Sequence, residues 1–349
     1  MMAQYPNCYR CRARLILTHR TGLIPNPIAR FQPQVRQPMH PTDNLSSASH
    51  WHILGAGAIG CLWACHLQLQ QQPVSLLVRS DSKLQQFQQP WSLSGQSQAE
   101  GIQLQAELNQ SESPISRLLV TTKSYDTLAA VEAVRHRLSK DAVIVLLQNG
   151  MGQQQQLAER LPEVPIYVGT TTEGAFLSGH QLVHAGSGES WFGPLNAVAK
   201  QLGEAPLRPL LSLALHSGYD PQILNRLWQK LAINAAINGL TALHDCQNGV
   251  LADNPEYHQQ MTQLCDEVER LAEALQQPLF EQPLITRAEA VARATGTNFS
   301  SMLQDVRHRR RTEIDAINGY LCDQAQTLGI DLPHNRSLLE KIRQTHPTV

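Results

Sequence analysis

Several things are scarce in this chain of 349 residues, and each scarcity closes off a class of function. Net charge is almost absent, at a formal -1 with a pI of about 6.9. Nothing global therefore drives the chain toward nucleic acid or an anionic membrane surface. Long apolar runs are missing, and none approaches the ~20 residues needed to span a bilayer. Aromatic residues make up only 5%. The cysteines (Cys8, Cys11, Cys61, Cys65, Cys246, Cys265 and Cys322) are odd in number and scattered, mostly in apolar segments. That is the pattern of reduced thiols in a cytoplasmic protein, not of a disulfide framework. Cys8-x-x-Cys11 has no second pair nearby, so no metal site is expected. Acid is also lacking at the start, where Arg10, Arg12, Arg14, Arg20, Arg30 and Arg36 precede the first carboxylate, Asp43. An arginine-rich, acid-poor start can be a transit peptide. Serines are few before Ser46, however, and no amphipathic periodicity appears. We read residues 1–49 as an extension outside the fold, with synthesis starting at Met39.

What remains is 42% hydrophobic and long enough for two domains with their own cores. Glutamine tracts at 68–72 and 153–156 read as solvated faces. The strand His50-Trp51-His52-Ile53-Leu54 runs into Gly55-Ala56-Gly57-Ala58-Ile59-Gly60. A helix from Cys61 to about Gln71 follows, then the strand Val74 to Arg79. A glycine string alone is weak, but here it lies in a strand–turn–helix–strand frame, where it reads as a dinucleotide site. Gly55 permits the tight turn, Gly57 lets a pyrophosphate approach the backbone, and Gly60 lets helix and strand pack closely. The helix N-terminus supplies N–H groups and partial positive charge. At the tip of the second strand stands Arg79, where an acid would select NAD. A guanidinium there suits a 2′-phosphate, so NADP(H) is expected. The alternative is a surface arginine, with Asp81 acting on the ribose.

Residues 81–114 are polar and irregular, and read as edge strands. Buried strands follow at Ser116 to Thr122 and, after a helix through Leu138, at Ala142 to Leu147. Lys123 and Asn149 emerge at their carboxyl ends, where open α/β sheets bind ligands. A fifth strand at Pro165 to Thr170 leads into Thr171-Thr172-Glu173-Gly174. Two extended segments, around Gln181 to Ala185 and Glu189 to Gly193, complete the set. A helical pattern takes over from Leu195. The alternation of strands and helices stops in the first half, which places a boundary near residue 220.

The second domain begins with a proline-free helix, Asn225 to Gly239. Lys230, Asn234 and Asn238 are spaced i, i+4, i+8 and share one face. A solvated stripe is the ordinary reading of such a triplet, because lysine is seldom buried unpaired. The apolar stripes on both sides favour a polar line facing a cleft. Further on, Asn298 or a nearby serine can cap a helix. Arg307, Arg309, Arg310 and Arg311 form a solvated basic cluster. Glu313, sharing a helix face with Ile317 and Tyr320, is expected to point inward.

In this order the motifs resemble the ketopantoate reductase (2-dehydropantoate 2-reductase) family. The resemblance covers about residues 50–345. It is carried by the glycine turn, Thr121-Thr122-Lys123, Gln148-Asn149-Gly150-Met151-Gly152 and Gly169-Thr170-Thr171-Thr172. In the second half it is carried by Trp228 to Asn238, Cys246-Gln247-Asn248-Gly249, Ser300 to Asp305 and Thr312 to Gly319. It implies a Rossmann-type α/β domain at 50–220 and an all-α substrate domain at 221–349, arranged as in 6-phosphogluconate dehydrogenase. It implies NADPH-dependent reduction of ketopantoate to (R)-pantoate, a step of pantothenate and coenzyme A biosynthesis. Lys230 matches the catalytic lysine. Asn234, Asn238 and Asn248 match substrate-contacting asparagines, while Asn298 and Ser301 match the loop that meets the substrate. Gly55 to Gly60, Arg79, Lys123, Asn149, Gly174 and Glu313 match cofactor positions, with Asn149 touching both ligands. Two departures stand out. Asp126 stands where some members carry glutamine, and Gly239 follows Asn238 where proline is common, which is expected to loosen the helix end. A monomer or homodimer without nucleic-acid or membrane partners is expected. The alternatives are a related reductase of another 2-keto acid and a protein that senses NADP without turnover.

Overall fold

The computed structural model describes residues 50–346, and the extension read at 1–49 lies outside the described residues. Trp51–Leu54 (β1), buried at every position, is the strand beside which the first half is laid out. It pairs in parallel with Val74–Val78 (β2) on one side and Ile115–Val120 (β6) on the other. Such runs, mostly hydrophobic and largely buried, suit strands covered on both faces. The same sheet takes in Gln105–Leu108 (β5), Leu138–Leu146 (β7), Ile166–Thr171 (β8), Glu189–Pro194 (β11) and His216–Tyr219 (β12), in the order β12-β11-β8-β7-β6-β1-β2-β5. All pairings are parallel except that of β11 with β8.

The stretch expected to supply only edge strands does more. Trp91–Gly95 (β3) and Ala99–Ile102 (β4) join Gly174–Ser178 (β9) and Gln181–Gly186 (β10) in a second sheet, ordered β4-β3-β10-β9. Trp91, Leu93 and Ile102 are core residues there. The helix Ala58–Leu69 (α1) packs against β1 and β2 and also against β9 and β10. Lying between the two sheets, it is buried continuously from Gly60 to Leu67. Trp63 meets Phe192 edge to face, with ring centroids 5.3 Å apart. The helix α2 (Asp81–Gln85), capped by Ser80, was not expected. The helices α3 (Thr127–Val134), α4 (Gln153–Arg160), α5 (Ala197–Leu202) and α6 (Arg208–Leu211) complete this half.

The helical pattern expected from Leu195 onward is interrupted by β12. That strand pairs in parallel with β11 and extends the sheet before the helical half starts. Helix α7 (Ile223–His244) then carries the core of the second half. Around it pack α9 (Pro255–Ala274), which follows the short α8 (Val250–Asp253), then α10 (Leu284–Ala294), α11 (Ser301–Arg307) and α13 (Pro333–Thr345), with α12 (Tyr320–Thr327) against α9. The helix end is not loosened at Gly239, for α7 continues five residues beyond it. A side chain at Gly239 would meet Leu338 Cδ2 at 2.7 Å, so the glycine serves close packing of α7 and α13. Just before α12, residues Asp315–Gly319 form a π-helical turn.

Candidate active site

The glycine turn after β1 is built as its spacing predicts. Gly55 has φ of +120°, and a Cβ at Gly60 would collide with the Gly55 carbonyl. Thr121, leaving β6, donates its hydroxyl to that carbonyl at 2.8 Å. Gly57 differs, because a Cβ there would meet nothing within 4 Å. It caps α1 with no side-chain hydrogen bond, and no acid stands in the helix's first turn. An uncapped helix N-terminus beside open space at Gly57 fits a pyrophosphate. Ala56, Ala58 and Ile59 are half-buried around the turn.

Arg79 leaves the end of β2 largely exposed, and its Nη2 donates to Asp126 Oδ2 at 3.2 Å. Asp81 lies in the first turn of α2 and does not pair with it. Gly174 opens β9, where a Cβ would press within 3.3 Å of Gly186 N.

Lys123, at the end of β6, reaches across to the helical half. Its Nζ lies 2.5 Å from Asp305 Oδ2 and 3.4 Å from Glu313 Oε2. Glu313 is buried, as expected, but it stands in the bend before the π turn and not on a helix face. Its two oxygens accept from Ser124 N at 2.9 Å and Asn149 Nδ2 at 3.3 Å. Gly150, with φ of +75°, lies against the Ala316 carbonyl, which accepts from Met151 N at 2.9 Å. The strand ends of β6 and β7 are thereby tied to the segment around Glu313. Burial alone would push the Lys123 ammonium down, but the Glu313 and Asp305 carboxylates outweigh it and hold its pKa above the usual lysine value.

Lys230 is different. It sits half-buried on α7, and its Nζ donates to the backbone carbonyl of Thr171 at 2.7 Å. Burial lowers its pKa from 10.5 to about 8, with Glu313 opposing part of the fall. Asn234 is half-buried and Asn238 buried on the same face. Neither amide side chain takes a protein hydrogen-bond partner among the described residues.

The remaining predicted residues gather at the far end of α7. Asn248 is buried, with Nδ2 donating to Thr295 Oγ1 at 2.9 Å, while its Oδ1 has no partner. Its N–H donates to the Asn298 carbonyl at 3.0 Å, which docks that loop. Asn298 and Ser301 are exposed. The cap of α11 is Ser300, not Asn298: its Oγ accepts from Leu303 N and pairs with Thr241 Oγ1 at 2.7 Å. The sequence assigns no individual role to Thr171, Asp305 or Thr241, and it places Arg310 in a solvated basic cluster, whereas Arg310 Nε lies 3.0 Å from Asp305 Oδ1. Asp305 sits three residues after buried Met302 on α11, a spacing that signals its inward direction.

Comparison with known proteins decides the kinship. The family model for ketopantoate reductase PanE/ApbA matches residues 51–197, and that for its C-terminal part matches residues 222–346. The chain belongs to the ketopantoate reductase family. The 2-dehydropantoate 2-reductase of Vibrio cholerae serotype O1 is 34% identical over 295 residues, 83% of this chain and 96% of that one. The one from Archaeoglobus fulgidus is 32% identical over a like share. A ketopantoate reductase structure from Ralstonia eutropha JMP134 superposes with a TM-score of 0.77 at 25% identity, covering 85% of this chain and 98% of its own. The parallel-sheet α/β first half and helical second half are thus those of a ketopantoate reductase, an oxidoreductase family.

Proposed function

We propose that this protein reduces ketopantoate to pantoate with NADPH, using Lys230 as the proton donor. The observation that carries the reading is Lys230 itself. It is a half-buried ammonium held by one neutral carbonyl, with its pKa lowered to about 8 and two unengaged amides along its face. Family membership and relatives named 2-dehydropantoate 2-reductase support the substrate. Arg79 and the open backbone at Gly57 support a phosphorylated dinucleotide.

The nicotinamide, when bound, supplies the hydride. The chain's own residues handle the charge that this creates. As negative charge builds on the substrate's carbonyl oxygen, Lys230 stabilises it by hydrogen bonding and gives up a proton. A lysine with pKa near 8 is still mostly protonated at neutral pH, yet gives up its proton more readily than an ordinary one. Thr171 orients the ammonium without neutralising it, because a carbonyl accepts a hydrogen bond but carries no charge. Asn234 and Asn238 hold the substrate's polar groups, with Asn248, Asn298 and Ser301 closing on it from the far end of α7 and Ser301 taking its carboxylate. Asn149, fixed by Glu313, faces both ligands. Pantothenate biosynthesis and a cytoplasmic setting follow from the same reading, as does a division into domains at about residue 220.

The test is consumption of NADPH by the purified protein across a panel of 2-keto acids. Ketopantoate is expected to lead on kcat/KM, and a better substrate of another class would replace this reading. Binding of NADPH with no turnover of any 2-keto acid would favour a sensor instead.

A further inference from the structure

We propose that Asp126 competes with the cofactor for Arg79 and thereby narrows the preference for NADPH over NADH. The proposal rests on the nucleotide site described above and concerns how that site chooses its ligand. Strands β2 and β6 flank β1 in parallel, so the segments leaving their carboxyl ends stand on either side of the glycine turn. Arg79 comes from one and the 3-10 turn Ser124–Asp126 from the other. Their side chains meet at 3.2 Å, and Asp126 is the one side-chain partner of Arg79 among the described residues.

The two partners are not equally fixed. The turn that carries Asp126 is pinned at each residue. Ser124 N donates to Glu313 Oε1 at 2.9 Å, Tyr125 Oη donates to the Arg311 carbonyl at 3.3 Å, and Asp126 N donates to the Lys123 carbonyl at 3.0 Å. The Arg311 guanidinium also lies 4.7 Å from the Tyr125 ring centroid. The Arg79 side chain is 77% exposed and has no comparable anchor. The carboxylate is therefore the stationary member and the guanidinium the one that swings.

That asymmetry sets different terms for the two nucleotides. A ribose 2′-phosphate must draw Arg79 away from Asp126 and then rest near a stationary negative charge. A 2′-hydroxyl has no such conflict: it donates to the carboxylate while Arg79 stays paired. Asp81 is the other acid beside the strand tip, but it is exposed in the first turn of α2 and unpaired with Arg79.

The test is binding of NADPH, NADH, 2′,5′-ADP and 5′-AMP to the full chain, read by nicotinamide fluorescence and calorimetry. Asp126→Asn is expected to raise the Kd ratio of NADH to NADPH about tenfold, equivalent to ~1.4 kcal/mol. It should tighten 2′,5′-ADP without tightening 5′-AMP. Arg79→Ala is expected to weaken NADPH about tenfold and leave NADH within about twofold. If Arg79→Ala acts as expected but Asp126→Asn leaves the ratio unchanged, the proposal falls and the nucleotide site stands. If Arg79→Ala leaves NADPH untouched, the assignment at the strand tip falls and takes the proposal with it. A shift that follows Asp81→Asn instead of Asp126→Asn also overturns it.

Discussion

Two lysines of the candidate site, Lys123 and Lys230, live under opposite rules. Lys123 faces two carboxylates, Asp305 and Glu313, and its pKa is held above the ordinary value. Lys230 faces a peptide carbonyl, and burial brings it down to about 8. The same side chain is a clamp in one place and, in the proposed reaction, an acid in the other. What differs is the charge of the partner: a carboxylate locks the proton on, whereas a carbonyl orients the ammonium and leaves the proton available.

The largest way to break the contrast is to remove the acid. Lys230→Ala is expected to lower kcat by ~10²–10⁴ while NADPH binding persists, as single-turnover kinetics and fluorescence titration would show. Unchanged turnover would take Lys230 out of its role. Next comes the clamp. Asp305→Ala leaves Lys123 with Glu313 alone and strips the ion pair from Arg310, whose Nε lies 3.0 Å from Asp305 Oδ1. Because Lys123 is one-third exposed, the expected loss is discounted to about 2 kcal/mol of unfolding free energy, read as a lower urea midpoint at unchanged slope.

A subtler change touches both lysines at once. Glu313 raises the pKa of each. Lys230 is protonated below about 8, so the rate of ketone reduction should be flat there and fall as pH rises beyond it. In Glu313→Gln, with cofactor saturating, that alkaline fall should begin at a lower pH. A fall that stays in place would mean that Glu313 does not act on Lys230.

The smallest effect concerns stability. The folded-state pKa of Lys230, about 8, lies below the ordinary 10.5, so the folded state binds this proton less well than the unfolded chain does. The charged lysine therefore opposes folding below about 8, and its burden lifts as pH climbs toward 10.5. Lys230→Met is accordingly expected to raise Tm by ~2–4 °C at neutral pH, with the gain shrinking in alkali. A Tm that drops at neutral pH would contradict the cost assigned to the buried charge.

Much of this was legible beforehand, and the reasons differ by region. The glycine turn could be read because each glycine has its own geometric task and the flanking strands are mostly hydrophobic. Helix α7 could be read because Lys230, Asn234 and Asn238 repeat at helical spacing. The second sheet could not, for β4 and β9 are short and lack regular alternation, and β3, though it alternates, pairs with β10 far along the chain. Strand β12 was hidden by His216 and Gly218, which carry little strand propensity, and its place is set by pairing with β11. The partner of Lys230 was beyond reach for a deeper reason. It is the carbonyl of Thr171, a group that every residue has, so no choice of side chain announces it.

The contrast between Gly57 and Gly60 would surface most plainly in a saturation library. Gly60 is hemmed in by the Gly55 carbonyl and Thr121, so alanine there should vanish from a screen sorted on protein abundance. Gly57 faces open space, so alanine should pass that screen and fail one sorted on nucleotide capture. Two positions three residues apart in one fingerprint would then fall into separate phenotypic classes, one a folding allele and the other a ligand allele.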